Sequence, residues 1–170
     1  MANNISTTAA IALLLVMMTG TAAGDSIEGK VVAIADGDTL TVLADRQQVK
    51  IRVAGIDAPE KNHAFGQRSK EHLSDCAFDK VVIIDWKKID RYGRTIGKVS
   101  ADGVDCGLRQ VKDGMAWHYK SYAKEQTVED RAAYSEAEAL AVARKVGLWN
   151  DVNPIPPWNF RHHPKANGTN

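Results

Sequence analysis

Only two cysteines, Cys76 and Cys106, occur in 170 residues. Two thiols cannot build a multi-bridge disulfide scaffold or a four-thiolate zinc site. Charge of one sign is not in excess either: 22 Lys and Arg face 21 Asp and Glu, a formal net charge of +1. Bulk charge therefore gives no argument for a nucleic-acid or membrane partner, and any such case must rest on local clusters. A long apolar run is also missing. The strongly apolar stretch covers residues 9–18, far short of the roughly 20 residues a membrane span needs. There is no internal repeat. What is left is ordinary globular composition, 44% hydrophobic and 25% charged, which excludes a disordered polymer or a fibre. The length suits one domain and a tail.

Residues 1–24 contain no charged side chain. The apolar run is followed by Thr19-Gly20-Thr21-Ala22-Ala23-Gly24, the layout of a secretory signal peptide with cleavage after Ala23. An n-region Lys or Arg is missing, and an uncleaved amino-terminal anchor is the alternative; the shortness of the run favours cleavage. The expectation is a signal peptide over residues 1–23 and a secreted or periplasmic protein with no stable membrane association afterwards. In an oxidising compartment an even pair of cysteines bonds, so a Cys76–Cys106 disulfide is expected. Two buried thiols are the alternative.

The first half of the mature chain reads as strands. Val31-Val32-Ala33-Ile34 is a short apolar run, and Leu40-Thr41-Val42-Leu43 follows the turn signal Asp36-Gly37-Asp38. Residues 48–53 alternate strictly, which predicts one buried and one polar face, with Arg52 on the polar one. Residues 80–86 are apolar on both sides at their centre, which predicts cover on both faces. Residues 94–99 form a fifth strand. Helices are predicted over residues 65–77, with Phe65, Ser69, Leu73 and Cys76 on one stripe, and over residues 105–113, with Leu108 and Val111 buried. The longest runs over residues 128–145, capped by Thr127, with Ala133, Tyr134, Ala137, Leu140, Ala141 and Leu148 along its apolar face. Residues 154–158, Pro-Ile-Pro-Pro-Trp, read as non-helical, and the rest of the tail as loosely ordered. The expected architecture is α+β: a five-stranded OB-fold β-barrel with about three packed helices. The domain spans residues 25–153, and a Pro-rich, basic tail spans residues 154–170.

Two acidic clusters carry the chemistry, Asp36-Gly37-Asp38-Thr39 and Asp57-Ala58-Pro59-Glu60. An Asp pair around Gly is also an ordinary turn signal. Asp38, however, shares parity with Leu40 and Val42, so its carboxylate points toward the barrel interior and needs a partner. Pairing of the first strands brings Asp38, Asp57 and Glu60 to one end of the barrel. Three such carboxylates repel unless a cation joins them, and hard oxygen donors suit Ca²⁺, or less well Mg²⁺. An EF-hand is excluded, since its Gly and Glu positions fall on Thr41 and Gln47. His63, His72 and His118 are too scattered for zinc. Arg52 leads toward Asp57, and the tight turn Asp90-Arg91-Tyr92-Gly93-Arg94 throws a second guanidinium outward. Two arginines beside an acidic cluster suit a phosphate whose charge grows during attack.

In this order, Asp36-Gly37-Asp38-Thr39, Arg52, Asp57-Ala58-Pro59-Glu60, Asp90-Arg91-Tyr92-Gly93-Arg94 and a closing Gly147-Leu148-Trp149, the sequence resembles the thermonuclease, or staphylococcal-nuclease-like, family over residues 29–150. The resemblance implies an OB-fold barrel, one Ca²⁺, and hydrolysis of DNA and RNA to products ending in a 3′-phosphate. It implies Asp38 and Asp57 as direct Ca²⁺ ligands together with the backbone carbonyl of Ala58, where the staphylococcal enzyme has Thr. Glu60 would orient or deprotonate the attacking water, Arg52 and Arg94 would bind phosphate, and Asp36 would stand behind the ligands. Arg91 and Tyr92 match the pair near the terminal phosphate. Tyr119 and Tyr122 match the tyrosines that flank a bound nucleotide, with a spacing that differs by one residue. The expectation is a monomeric exported nuclease. The rivals are a catalytically silent OB-fold module that binds single-stranded nucleic acid, and a domain merely stabilised by Ca²⁺.

Overall fold

The computed structural model describes residues 25–162, and the expected signal peptide lies outside the described residues. The strands are β1 (Ser26–Ile34), β2 (Thr39–Ala44), β3 (Gln47–Val53), β4 (Ile56–Asp57), β5 (Val81–Ile89), β6 (Thr95–Ala101), β7 (Val104–Asp105) and β8 (Trp117–His118). The helices are α1 (Gly66–Ala77), α2 (Cys106–Lys112), α3 (Val128–Arg144) and α4 (Pro157–His162), with 3₁₀ turns at Lys120–Glu125 and Gly147–Asn150. The main sheet runs β3-β2-β1-β5-β6-β7, and β3 also pairs in parallel with β6. That last pairing, Ile51 opposite Thr95 and Val53 opposite Gly97, closes five strands into a barrel and leaves few free sheet edges. The fold is therefore the α+β OB barrel that the strand pattern implies.

The alternation of β3 holds: Ile51 and Val53 are buried and point inward with Val31, Leu40, Val42, Val82, Ile84 and Val99. Burying an aliphatic side chain of this size contributes about 1.5–3 kcal/mol. Three helices close over the barrel. Leu73, Cys76 and Ala77 of α1, Val111 of α2, and Tyr134 and Ala137 of α3 extend the same core. Asp105 caps α2 by accepting from Leu108 N–H and also accepts the Tyr134 hydroxyl at 3.0 Å. Burial and the Asp105 carboxylate both push the Tyr134 phenol far up, so it stays a donor. Thr127 caps α3, as predicted, by accepting from Asp130 N–H at 3.0 Å.

Four expectations need correction. Strand β5 is covered on one face only: Val82 and Ile84 are fully buried, whereas Val81 and Ile83 are 56% and 49% exposed. A barrel strand has one inward face, and among the described residues Val81 and Ile83 on the outer face stay exposed. On α3, Leu140 is exposed and Glu138 is buried. The buried stripe runs through Tyr134, Ala137, Glu138 and Ala141; Glu138 tolerates it because it accepts from His118 N–H and pairs with Lys120. On α2, Leu108 is only half-buried, and Gln110 is fully buried. Finally, the tail is not irregular throughout as far as residue 162, and its remaining residues, 163–170, lie outside the described ones. Helix α4 starts at Pro157, where the missing N–H and the fixed φ of proline suit the first helical position.

Cys76 and Cys106 form a disulfide with Cα atoms 5.9 Å apart, joining the end of α1 to the start of α2. The bond spans 30 residues, for which chain entropy gives about 3–4 kcal/mol. Replacing both cysteines with alanine should lower unfolding free energy by about 3 kcal/mol, read from urea unfolding of the two proteins. Equal midpoints would show that the bond carries no stability.

Candidate active site

The turn between β1 and β2 carries Asp36, Gly37 and Asp38 at the barrel mouth. A Cβ on Gly37 would collide with Ser69 Oγ of α1 and press on Ala58; only glycine lets this turn lie so close to the helix. Gln110 fixes the other side. Its buried amide donates to Gly37 O at 2.6 Å and to Ser69 O at 2.9 Å, while its oxygen faces His72 Nδ1. The opposite nitrogen of His72 lies 2.9 Å from Asp113 Oδ2.

Strand pairing then sets the carboxylates. Arg52 stands opposite Thr39 in the β2–β3 ladder, next to Asp38. Its guanidinium reaches Asp38 Oδ2 through Nη1 and Asp57 Oδ1 through Nη2, both at 2.8 Å. Asp38 Oδ2 also accepts from Ala58 N–H at 2.7 Å, and Asp38 Oδ1 accepts from the Thr39 hydroxyl at 3.1 Å. Burial pushes the Asp38 carboxyl up to about 7 against the opposing pull of Arg52. Asp57 is fully buried, held by the short β4–β8 pair in which it faces Trp117. Asp36 accepts from Asp38 N–H and stands behind the pair.

A cleft of about 1470 Å³ opens over this cluster. Of the residues singled out in the sequence, Asp36, Asp38, Arg52, Ala58, Glu60, Arg91, Tyr92, Arg94, Tyr119 and Tyr122 all line it. Arg94 is not thrown freely outward. Its Nε donates to Asp90 Oδ2 at 2.8 Å, and it lies 5.5 Å from the Tyr92 ring centre. Burial opposes ionisation of Asp90, yet hydrogen bonds from Arg94 and Tyr92 hold its carboxyl below the ordinary value. Gly93, at φ 76°, supplies the left-handed step that folds Arg94 back. Arg91 covers the same ring at 4.9 Å. Tyr119 and Tyr122 lie 5.1 Å apart on the far wall. The expected groups thus share one mouth, with basic residues of β5 and the following turn facing aromatic ones.

Two features escaped the sequence reading. Gln110 shares the buried stripe of α2 with Cys106 and Val111, a periodic position where a polar side chain signals a buried bond. Arg161 of α4 donates through Nη2 to Asp57 Oδ2 at 2.7 Å and through Nη1 to Glu60 Oε1 at 2.8 Å. Nothing in a Pro-rich tail marks such a contact. Among the described residues no three His, Cys, Asp or Glu side chains close on a common metal position, and guanidiniums stand among the carboxylates. The donor set nevertheless fits a hard divalent cation. It consists of ionisable oxygens, and the Arg161 guanidinium is a stand-in positive charge between two of them.

Gln110→Leu keeps the volume but leaves the carbonyls of Gly37 and Ser69 without their donor. Unfolding free energy should fall by about 1–3 kcal/mol, seen as a lower midpoint in urea. An unchanged midpoint would mean the loop is held by packing alone.

Comparison with known proteins places this site in a family. The model for "Staphylococcal nuclease homologue" matches residues 50–151. A protein of Shigella flexneri named micrococcal nuclease is 39% identical over 95% of each chain. A Haemophilus influenzae protein named an uncharacterized endonuclease is 45% identical over 81% of this chain and 75% of its own. A staphylococcal-like nuclease of Arabidopsis thaliana is 32% identical over 71% of this chain and 35% of its own length. With the barrel, the paired aspartates and the arginine-lined mouth in place, the chain belongs to the staphylococcal nuclease family of nucleic-acid hydrolases.

Proposed function

We propose that the protein is an exported, Ca²⁺-dependent nuclease that hydrolyses DNA and RNA by in-line attack of water and leaves 3′-phosphate ends. The observation that carries this reading is the bridge from Arg52 to both Asp38 and Asp57, beside Glu60, at the mouth of a family barrel. Asp38, Asp57 and the carbonyl of Ala58 would hold the cation, with Asp36 behind them. The bound Ca²⁺ would supply a Lewis acid for a non-bridging phosphate oxygen. Glu60 positions the water and takes its proton as the oxygen attacks phosphorus. The bond to the 5′ oxygen breaks, and that oxygen leaves with the electron pair and takes up a proton from water as the 5′-hydroxyl. Arg52 and Arg94 stabilise charge on the equatorial oxygens. Tyr119 and Tyr122 offer stacking faces, which accept any base, and Arg91 and Tyr92 sit at the terminal phosphate. The disulfide supports export, since such bonds persist in oxidising compartments.

The test incubates the purified protein with single-stranded DNA and with RNA, in Ca²⁺ or in chelator, and analyses product ends. Cleavage in Ca²⁺ alone, with 3′-phosphates, is expected. Binding without cleavage would favour a silent binding module, and a raised melting temperature without cleavage would favour a structural cation. Glu60→Gln should keep the fold and most nucleotide affinity while turnover falls by a factor on the order of 10² or more. Near-native turnover would remove Glu60 from the proton transfer.

A further inference from the structure

Helix α4 reaches into the site from a point more than 100 residues away in sequence. The segment before it, residues 151–156, contains no helix or strand and includes a fully exposed Val152. Aromatic contacts seat the helix. Trp158 lies nearly parallel on Tyr119, with ring centres 5.6 Å apart and planes 19° apart. It also meets the edge of Trp117 at 6.4 Å, and Phe160 packs on His63 at 4.6 Å. These contacts deliver Arg161 to the carboxylates. Asp57 then has both oxygens committed, Oδ1 to Arg52 and Oδ2 to Arg161. Glu60 is committed to the same guanidinium.

We infer that α4 is a tethered competitor for the site, in which Arg161 holds the place of the divalent cation and Trp158 covers the stacking face of Tyr119. This deepens the proposed function and rests on its reading of Asp38, Asp57 and Glu60 as the cation site. A cation cannot bind Asp57 Oδ2 while Arg161 keeps its fork there. A base cannot stack on the face of Tyr119 that Trp158 covers. One short helix therefore opposes both ligands, and both together favour its release. Its hold is limited: Arg161 is 45% exposed in its side chain, so water competes for its bonds. A competitor docked nine-tenths of the time would weaken apparent cation affinity about tenfold. In the protein's own compartment, activity would then turn on only where cation and nucleic acid are both present.

The experiment is calorimetric titration with CaCl₂, without nucleotide, of the wild type, Arg161→Gln and Trp158→Ala, with melting curves to confirm folding. Arg161→Gln should bind Ca²⁺ about tenfold more tightly. Trp158→Ala keeps the charge at position 161 and removes the anchor; it should also bind more tightly, by up to about tenfold if docking is lost. Unchanged or weaker affinity in Arg161→Gln overturns the inference. A gain in Arg161→Gln without one in Trp158→Ala reduces the effect to a nearby charge and overturns the docked helix. If the wild type binds Ca²⁺ and cleaves DNA while both variants match it, only the competitor fails. If neither the wild type nor Arg161→Gln binds Ca²⁺, the cation reading fails and takes the competitor with it.

Discussion

The bridge of Arg52 to Asp38 and Asp57, 2.8 Å at each end, is the constraint on which the site depends. Two carboxylates that are almost entirely buried cannot both stay ionised without a countercharge. Arg52 supplies it from the face of β3 opposite Ile51 and Val53, and opposes the burial that pushes the Asp38 carboxyl up. Its side chain is itself only 14% exposed, so the pairs are little screened by solvent. The bridge also requires register. Arg52 must stand opposite Thr39, and a slip by one residue would turn its side chain to the other face. The β2–β3 hairpin therefore fixes the charge balance of the mouth along with its shape.

The outer helices serve the same end. The turn that holds Asp38 packs against Ser69 of α1 and is tied to α2 by the amide of Gln110. The disulfide fastens those two helices to each other. Loop, helices and covalent bond form one unit, so the carboxylate at the end of the loop inherits the rigidity of the core. A site on a rigid framework holds its groups within the narrow tolerances that phosphoryl chemistry requires.

How much of this was legible in the sequence follows from which interactions are local. The alternation in residues 48–53 gave β3 its correct faces, because period-two burial is written in adjacent residues. The ordered acidic and basic motifs led to one mouth, since each sits at the end of a strand that must pair with the next. Burial of β5 was misread. Apolar residues on both faces say that a strand can be covered, while cover itself depends on distant helices. Leu140 is exposed on α3 while Glu138 is buried for a similar reason. Lys120 and the His118 N–H, both from another segment, make the acid tolerable inside. Arg161 was beyond reach, for its partners lie 101 and 104 residues away and no periodicity links them.

Arg161 also shows how this acidic cluster can fold with the protein's own guanidiniums as its countercharge. Asp57 and Glu60 approach one another only if positive charge stands between them, since like charges at such range destabilise each other. Arg52 balances the buried pair but does not contact Glu60; the second guanidinium completes the balance. A fork of parallel N–H donors matches carboxylate oxygens in geometry as well as in sign. It lacks the higher charge of a divalent ion and gives no open coordination position to a phosphate. On the function proposed above, the residue that balances these carboxylates would therefore be unable to perform the cation's chemistry. On that same reading, the separation would let the cluster be stable without its cation and reactive only with it.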